Sequence, residues 1–176
     1  MNDNQHLKNA IAAANPQLNT VQRHSVYGTA HQSPNRIVVH AMGEYILSED
    51  GRGYDYAPDF LERMQLSAHA LVTSDGTVLR CRNDDEGAYH ARGFNAGSLG
   101  MELLVSGKHD YDSFLRTIKH PYVTDAQYAA AVMQCREWVR LYRITLIDRH
   151  SDVSPGRKFD PGAGFPWGKF LDDVRR

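Results

Sequence analysis

The sequence predicts an α/β fold, a single domain in which a central mixed β-sheet is flanked by helices. Three observations carry this. Residues 37–39 and 97–105 are apolar runs of strand length, rich in β-branched and aliphatic residues. Asp75-Gly76 separates two further apolar segments, which is the turn chemistry of a tight hairpin. Thr124-Asp125-Ala126-Gln127 reads as a capping box in front of a long helix. At 176 residues, with 41% hydrophobic and 23% charged positions, the chain has the size of one domain with a self-sufficient core.

Taken in order, residues 3–14 have a helical face in Leu7, Ala10, Ile11 and Ala14, stopped by Asn15-Pro16. Residues 16–35 are polar and broken by Pro16, Gly28 and Pro34, so residues 1–35 are expected to be a helix followed by an irregular arm. The main domain is expected over residues 36–176. Ile37-Val38-Val39 forms a buried strand that ends on His40. Residues 43–57 hold several glycine breaks and the rings of Tyr45, Tyr54 and Tyr56, which predicts a surface loop and a possible groove wall.

Pro58 sits at the first turn of a short helix over residues 58–66. A hairpin over residues 67–82 follows, and then the strand at 97–105. That strand is apolar except for Glu102, and a carboxylate there is costly to bury without a partner. The helix from Thr124 to about Tyr142 is expected to face the sheet through Ala129, Val132, Met133, Arg136, Val139 and Arg140. Residues 144–147 suit a short strand. Pro166 opens a last helix with Trp167, Phe170, Leu171 and Val174 inward.

The net charge of −1 and a pI of about 6.7 leave no global positive field, so nucleic acid is not an expected partner. No stretch approaches the roughly 18 apolar residues of a membrane span. The first fifteen residues lack the basic leader and apolar core of a signal peptide, which predicts synthesis in the cytoplasm. Cys81 and Cys135 are too few for a disulfide framework; they read as two buried thiols, with pairing left open. A monomer is expected.

The chemistry concentrates in residues 150–160, HSDVSPGRKFD. Pro155 and Gly156 interrupt any helix, so the segment is a loop that brings His150 and Asp160 together with Lys158 close to the second. One more imidazole on a rigid element would complete a three-ligand zinc site with its fourth position open, in a surface cleft. His40, at the end of its strand, is the best candidate.

The segments IVVHAMG, LSAHALVTSDGTV, GAYHARG, GSLGMELL and HSDVSPGRKFDPG, in this order, resemble the type 2 N-acetylmuramoyl-L-alanine amidases. That family includes phage lysozyme-amidases, cytoplasmic anhydro-muropeptide amidases and peptidoglycan recognition proteins. The resemblance covers about residues 36–172. It implies Zn2+ held by His40, His150 and Asp160, with Lys158 stabilising the oxyanion and Glu102 as general base. Other members use a tyrosine just before the hairpin histidine; Ala68 stands there here, which gives Glu102 weight.

His69 is implied beside the zinc or along the groove, and His90 in the substrate cleft. Arg92 and Asn95 follow as candidate contacts to peptide carboxylates, and the three tyrosines as candidate stacking surfaces for sugar rings. The position before Leu66-Ser67 is often basic in the cytoplasmic branch and is Gln65 here, a departure that bears on recognition of stem-peptide carboxylates.

The implied reaction is hydrolysis of the amide joining N-acetylmuramic acid to L-alanine, with peptidoglycan or a muropeptide as partner. A phage-type endolysin acting on the periplasmic or extracellular wall is the leading expectation. The alternatives are a cytoplasmic recycling amidase and a binding protein without catalysis.

Overall fold

The computed structural model describes residues 18–30 and 32–176, so the helix expected over residues 3–14 lies outside the described residues. The strands are β1 (Thr20–Gln22), β2 (Gly28–Thr29), β3 (Arg36–Leu47), β4 (Tyr54–Tyr56), β5 (Ala70–Val72), β6 (Val78–Arg80), β7 (Gly87–Ala88), β8 (Ser98–His109) and β9 (Leu146–Arg149). The helices are α1 (Ala57–Arg63), α2 (Tyr111–Thr117), α3 (Asp125–Tyr142), α4 (His150–Val153) and α5 (Trp167–Arg175).

Among the described residues, seven strands form one mixed sheet in the order β1-β6-β5-β8-β3-β4, with β9 also paired to β3. β3 and β8 are its spine, parallel and in register from Arg36–Ser98 to Gly43–Val105. The far edge of β3 is shared. β9 lies parallel to Arg36–Val39 and β4 runs antiparallel to Tyr45–Leu47.

The two-residue period of a strand sends alternate side chains to opposite faces. Ile37, Val39 and Ala41 of β3, with Leu99, Met101, Leu103 and Val105 of β8, join one large core with Ala131, Cys135 and Trp138 of α3 and Phe170 and Val174 of α5. The other face carries the registered pairs Val38–Gly100, His40–Glu102 and Met42–Leu104. There a smaller apolar cluster of Leu71, Leu79, Cys81 and Leu104 packs with Ala57 of α1. One face holds the molecule together. The other is left for chemistry.

The hairpin stands where expected, with β5 antiparallel to β6 and Gly76 at φ +85 in its turn, a conformation that favours glycine. Several other expectations change. The loop expected over residues 43–57 is largely a hairpin: β3 continues to Leu47 and Tyr45 pairs with Tyr56, ring centroids 5.5 Å apart. Gly43, which reads as a break, instead marks a register shift and a close approach to His109.

The irregular arm over residues 16–35 contains β1, hydrogen-bonded parallel to β6, and β2, paired with β7. All three β1 residues are exposed, so its pairing rests on backbone groups that leave no periodic trace in side chains. α2, capped by Asp110 through the Ser113 N–H, is an element the sequence reading lacks.

On α3, Thr124 caps as expected by accepting from the Gln127 N–H. The Gln127 side chain, however, is buried and donates to the Val72 and Leu104 carbonyls at 2.7 and 2.9 Å, so the reciprocal half of the capping box is not made. The buried face of α3 runs through Ala130, Ala131, Gln134, Cys135 and Trp138; of the six positions expected inward, only Val132 is buried. Small residues let the helix sit close to the sheet, where the buried amide nitrogen is satisfied while Gln127 Oε1 has no partner among the described residues. Cys81 and Cys135 are both buried and free. No helix among the described residues is long and apolar enough to cross a membrane.

Candidate metal centre and its cleft

Three neighbouring strands place the polar side chains. His40 of β3 is registered with Glu102 of β8. On the other side, β9 pairs Arg149 with Val39, so His150 emerges beside His40. The segment after β9 begins with one helical turn, α4, where the sequence reading has loop from His150 onward. Ser154, Pro155 and Gly156 then end the turn. The chain folds back so that the Ser151 N–H donates to the Asp160 carbonyl at 3.0 Å and the Lys158 N–H to the Ser154 carbonyl at 3.1 Å.

His40, His150 and Asp160 are all buried and each offers a donor atom within 4.8 Å of the others'. Asp160 Oδ2 lies 3.0 Å from His150 Nδ1 and 3.6 Å from His40 Nδ1, and it accepts from the Ala41 N–H at 3.3 Å. Glu102 Oε1 stands 3.8 Å from His40 Nδ1. Burial pushes the His40 imidazole down to about 4 despite the nearby carboxylate. Burial works to raise Asp160, yet the hydrogen bond with His150 and the closeness of the His40 imidazole hold its carboxyl well below the usual range.

The set is therefore a neutral imidazole and a carboxylate facing a second imidazole. Glu102 differs: burial, then the Asp160 charge, push its pKa well above the ordinary carboxylate value, with Lys158 opposing. Its Oε2 is buried and finds no hydrogen-bond partner among the described residues.

These residues suit a divalent ion. Two imidazoles and one carboxylate are the donor set of many catalytic zinc sites, and the orphaned Glu102 oxygen belongs to a carboxylate beside His40. Glu102, His150 and Asp160 line a cleft of about 470 Å³, together with Met42, Leu66, Tyr89, Tyr111, Lys158 and Phe159, and His40 is buried against them. Phe159 and Tyr111 are more than half exposed, an apolar rim that sequence patterning did not single out because both lie outside any periodic run.

The remaining predicted residues divide. His69 is fully buried, with Nδ1 accepting from the Gly100 N–H at 3.0 Å and Nε2 on the Glu86 carbonyl at 2.9 Å; it does not line the cleft. His90 does line it, with its Nδ1 turned to His40 Nε2 at 2.9 Å. Asn95 Oδ1 is taken by the backbone N–H groups of His90 and Ala91, at 3.0 and 2.7 Å, so it shapes the turn that carries His90. Arg92, Tyr45 and Tyr54 are exposed and outside the cleft lining, and the half-buried Tyr56 is also outside it. The β3–β4 hairpin does form part of the cleft wall, through Ile46, Leu47 and Glu49, while its three tyrosines stand off that lining.

Comparison with known proteins meets this geometry. The chain is 30% identical over 131 residues to the 1,6-anhydro-N-acetylmuramyl-L-alanine amidase AmpD of Haemophilus influenzae, covering 67% of this chain and 65% of that one. Against AmpD of Enterobacter cloacae the figures are 34% over 128 residues, 66% and 62%. The matched segment thus spans just under two thirds of these curated relatives.

Among solved structures, N-acetylmuramoyl-L-alanine amidase LysC from Clostridium intestinale URNW shares the fold with a TM-score of 0.68 at 23% identity, over 92% of this chain and 99% of that one. A crystal structure of an AmpD derivative also gives 0.68, at 22% identity, over 90% and 96%. The pattern of one family runs from residue 30 to residue 163, enclosing His40, Glu102, His150 and Asp160; by that match this chain belongs to the N-acetylmuramoyl-L-alanine amidases.

Proposed function

We propose that this chain is a zinc-dependent amidase that hydrolyses the amide between N-acetylmuramic acid and L-alanine in peptidoglycan or its fragments. The observation that carries the reading is the convergence of His40, His150 and Asp160 at the edge of a cleft, with Glu102 beside His40 and its Oε2 without a partner among the described residues. Family membership supplies the bond that is cut.

His40, His150 and Asp160 would hold the ion. Zinc bound there supplies Lewis acidity, which makes water a nucleophile near neutral pH and polarises a carbonyl. Glu102 accepts the proton of the attacking water and passes it to the alanine nitrogen, which leaves as an amine. A raised carboxyl pKa suits a group that must both take a proton and return it. The Lys158 ammonium, on the cleft wall, faces the charge that develops on the carbonyl oxygen. The exposed Phe159 and Tyr111 offer apolar surface to sugar or peptide.

Two substrates fit this chemistry. The endolysin role takes intact wall, and the endolysin amidase LysCS from Clostridium intestinale URNW, whose fold this chain shares with a TM-score of 0.67 over 91% of its length, supports it. The curated relatives, named for 1,6-anhydro-N-acetylmuramyl-L-alanine, support the second reading, a soluble anhydro-muropeptide. Metal analysis of purified protein, with mass spectrometry of digests of sacculi and of soluble anhydro-muropeptide, tests both. New N-terminal alanine is expected from at least one substrate and is lost with a chelator. No such product from either ends the amidase reading.

A further inference from the structure

We propose that His90 is a positioning residue: it locks His40 into the tautomer whose Nε2 carries the proton and whose Nδ1 lone pair faces Asp160 and Glu102.

The direction of each hydrogen bond follows from the last acceptor in the chain. Ser98 Oγ bonds the Phe94 carbonyl, which can only accept, so the Ser98 hydroxyl spends its one proton there. Ser98 Oγ must then accept from His90 Nε2, 3.1 Å away. A neutral imidazole carries one proton, so His90 Nδ1 is left as an acceptor. Its neighbour at 2.9 Å is His40 Nε2, which must donate. The His40 Nδ1 lone pair is thereby directed toward Asp160 Oδ2 at 3.6 Å, the side on which an ion would sit.

His90 is held in place by more than this relay. Asn95 Oδ1 accepts its backbone N–H. Its ring lies so close over β8 that a Cβ on Gly100 would stand 2.5 Å from its Cγ. Gly100 therefore reads as the space into which the ring fits, two residues from Glu102 on the same face. The neighbouring His69 contrasts with it. Both its nitrogens are engaged by Gly100 and Glu86, and it makes no hydrogen bond to His40.

The consequence for metal affinity rests on the zinc reading; the tautomer does not, and the two are separable. In metal-free protein labelled with ¹⁵N-histidine, His40 is expected to show a protonated Nε2 and an unprotonated Nδ1. His90→Leu should scramble this preference and weaken zinc binding, read by competition with a chromophoric chelator, by about 10–100-fold. His90→Asn keeps an acceptor near the Nδ1 position and should hold affinity within a few fold of the unsubstituted protein. Ser98→Ala should fall between.

A protonated Nδ1 on His40 in the unsubstituted protein overturns the proposal, as does His90→Leu with unchanged tautomer and affinity. Should His90→Leu not fold, the unsubstituted spectrum and Ser98→Ala decide. The expected tautomer in a protein that takes up no zinc would sink the metal reading and leave the lock standing.

Discussion

The two faces of the β3–β8 ladder are built from the same strands with the same alternation, and they solve opposite problems. The face toward α3 and α5 is all aliphatic: Ile37, Val39, Leu99, Met101 and Leu103 are fully buried there. One residue along, the other face presents His40 and Glu102 in register, almost as deeply buried. The first face gains from burial at about 25 cal/mol per Å² of apolar surface. The second gives up stability, because an unpaired buried polar atom such as Glu102 Oε2 costs about 1–3 kcal/mol. A single period-two pattern thus separates what holds the protein together from what it does.

Substitutions can break this contrast, and the largest effect is expected at the donors. Asp160→Ala or His150→Ala should abolish zinc retention, measured by metal analysis after dialysis, with activity lost alongside. If either variant keeps stoichiometric zinc and full turnover, the centre has been misplaced. Glu102→Gln should retain zinc yet lower kcat by about 10²–10⁴-fold. Its apolar counterpart Glu102→Leu should unfold no more easily than the unsubstituted protein, because the orphaned oxygen is gone.

On the opposite face, Leu103→Ala should cost about 2–5 kcal/mol in denaturant unfolding while leaving kcat near normal below its melting temperature. A catalytic defect without a stability loss there would blur the division between faces.

The last effect is a slope with pH. His69, pushed down to about 4 by burial, stays neutral in the fold while the unfolded chain takes up a proton below about 6.5. Stability is therefore full above that value and is lost progressively as pH falls to about 4, by about 3 kcal/mol for this residue. Denaturation of metal-free protein at pH 7.5, 6 and 4.5 measures it. A flat profile would mean the imidazole is not held neutral.

How much of this was legible in the sequence varied from residue to residue. His40, His150 and Asp160 were found from a strand end, a proline-glycine loop and a family resemblance. Glu102 announced itself as a carboxylate among aliphatic residues. Pro58, Asp75-Gly76 and Thr124 marked their elements through local chemistry. The exposed strand β1 and the extension of β3 past Gly43 were not visible, because backbone pairing and a bulge leave no side-chain period. The inward face of α3 was misread because alanines and a glutamine, rather than large apolar residues, form it.

The amino-acid sequence by itself determined which donors exist, which strands alternate and where the loop at residues 154–156 must turn, since all of these depend on neighbours along the chain. Only the tertiary structure decided the rest. Residues 40, 102 and 150 share a row because β9, β3 and β8 lie side by side in register. His90 and Ser98 set the direction of a proton, and Asn95 and Tyr45 stand outside the cleft lining. The physical reason is that hydrogen-bond partners and burial are properties of atoms brought together from distant positions, and no local pattern encodes their distance.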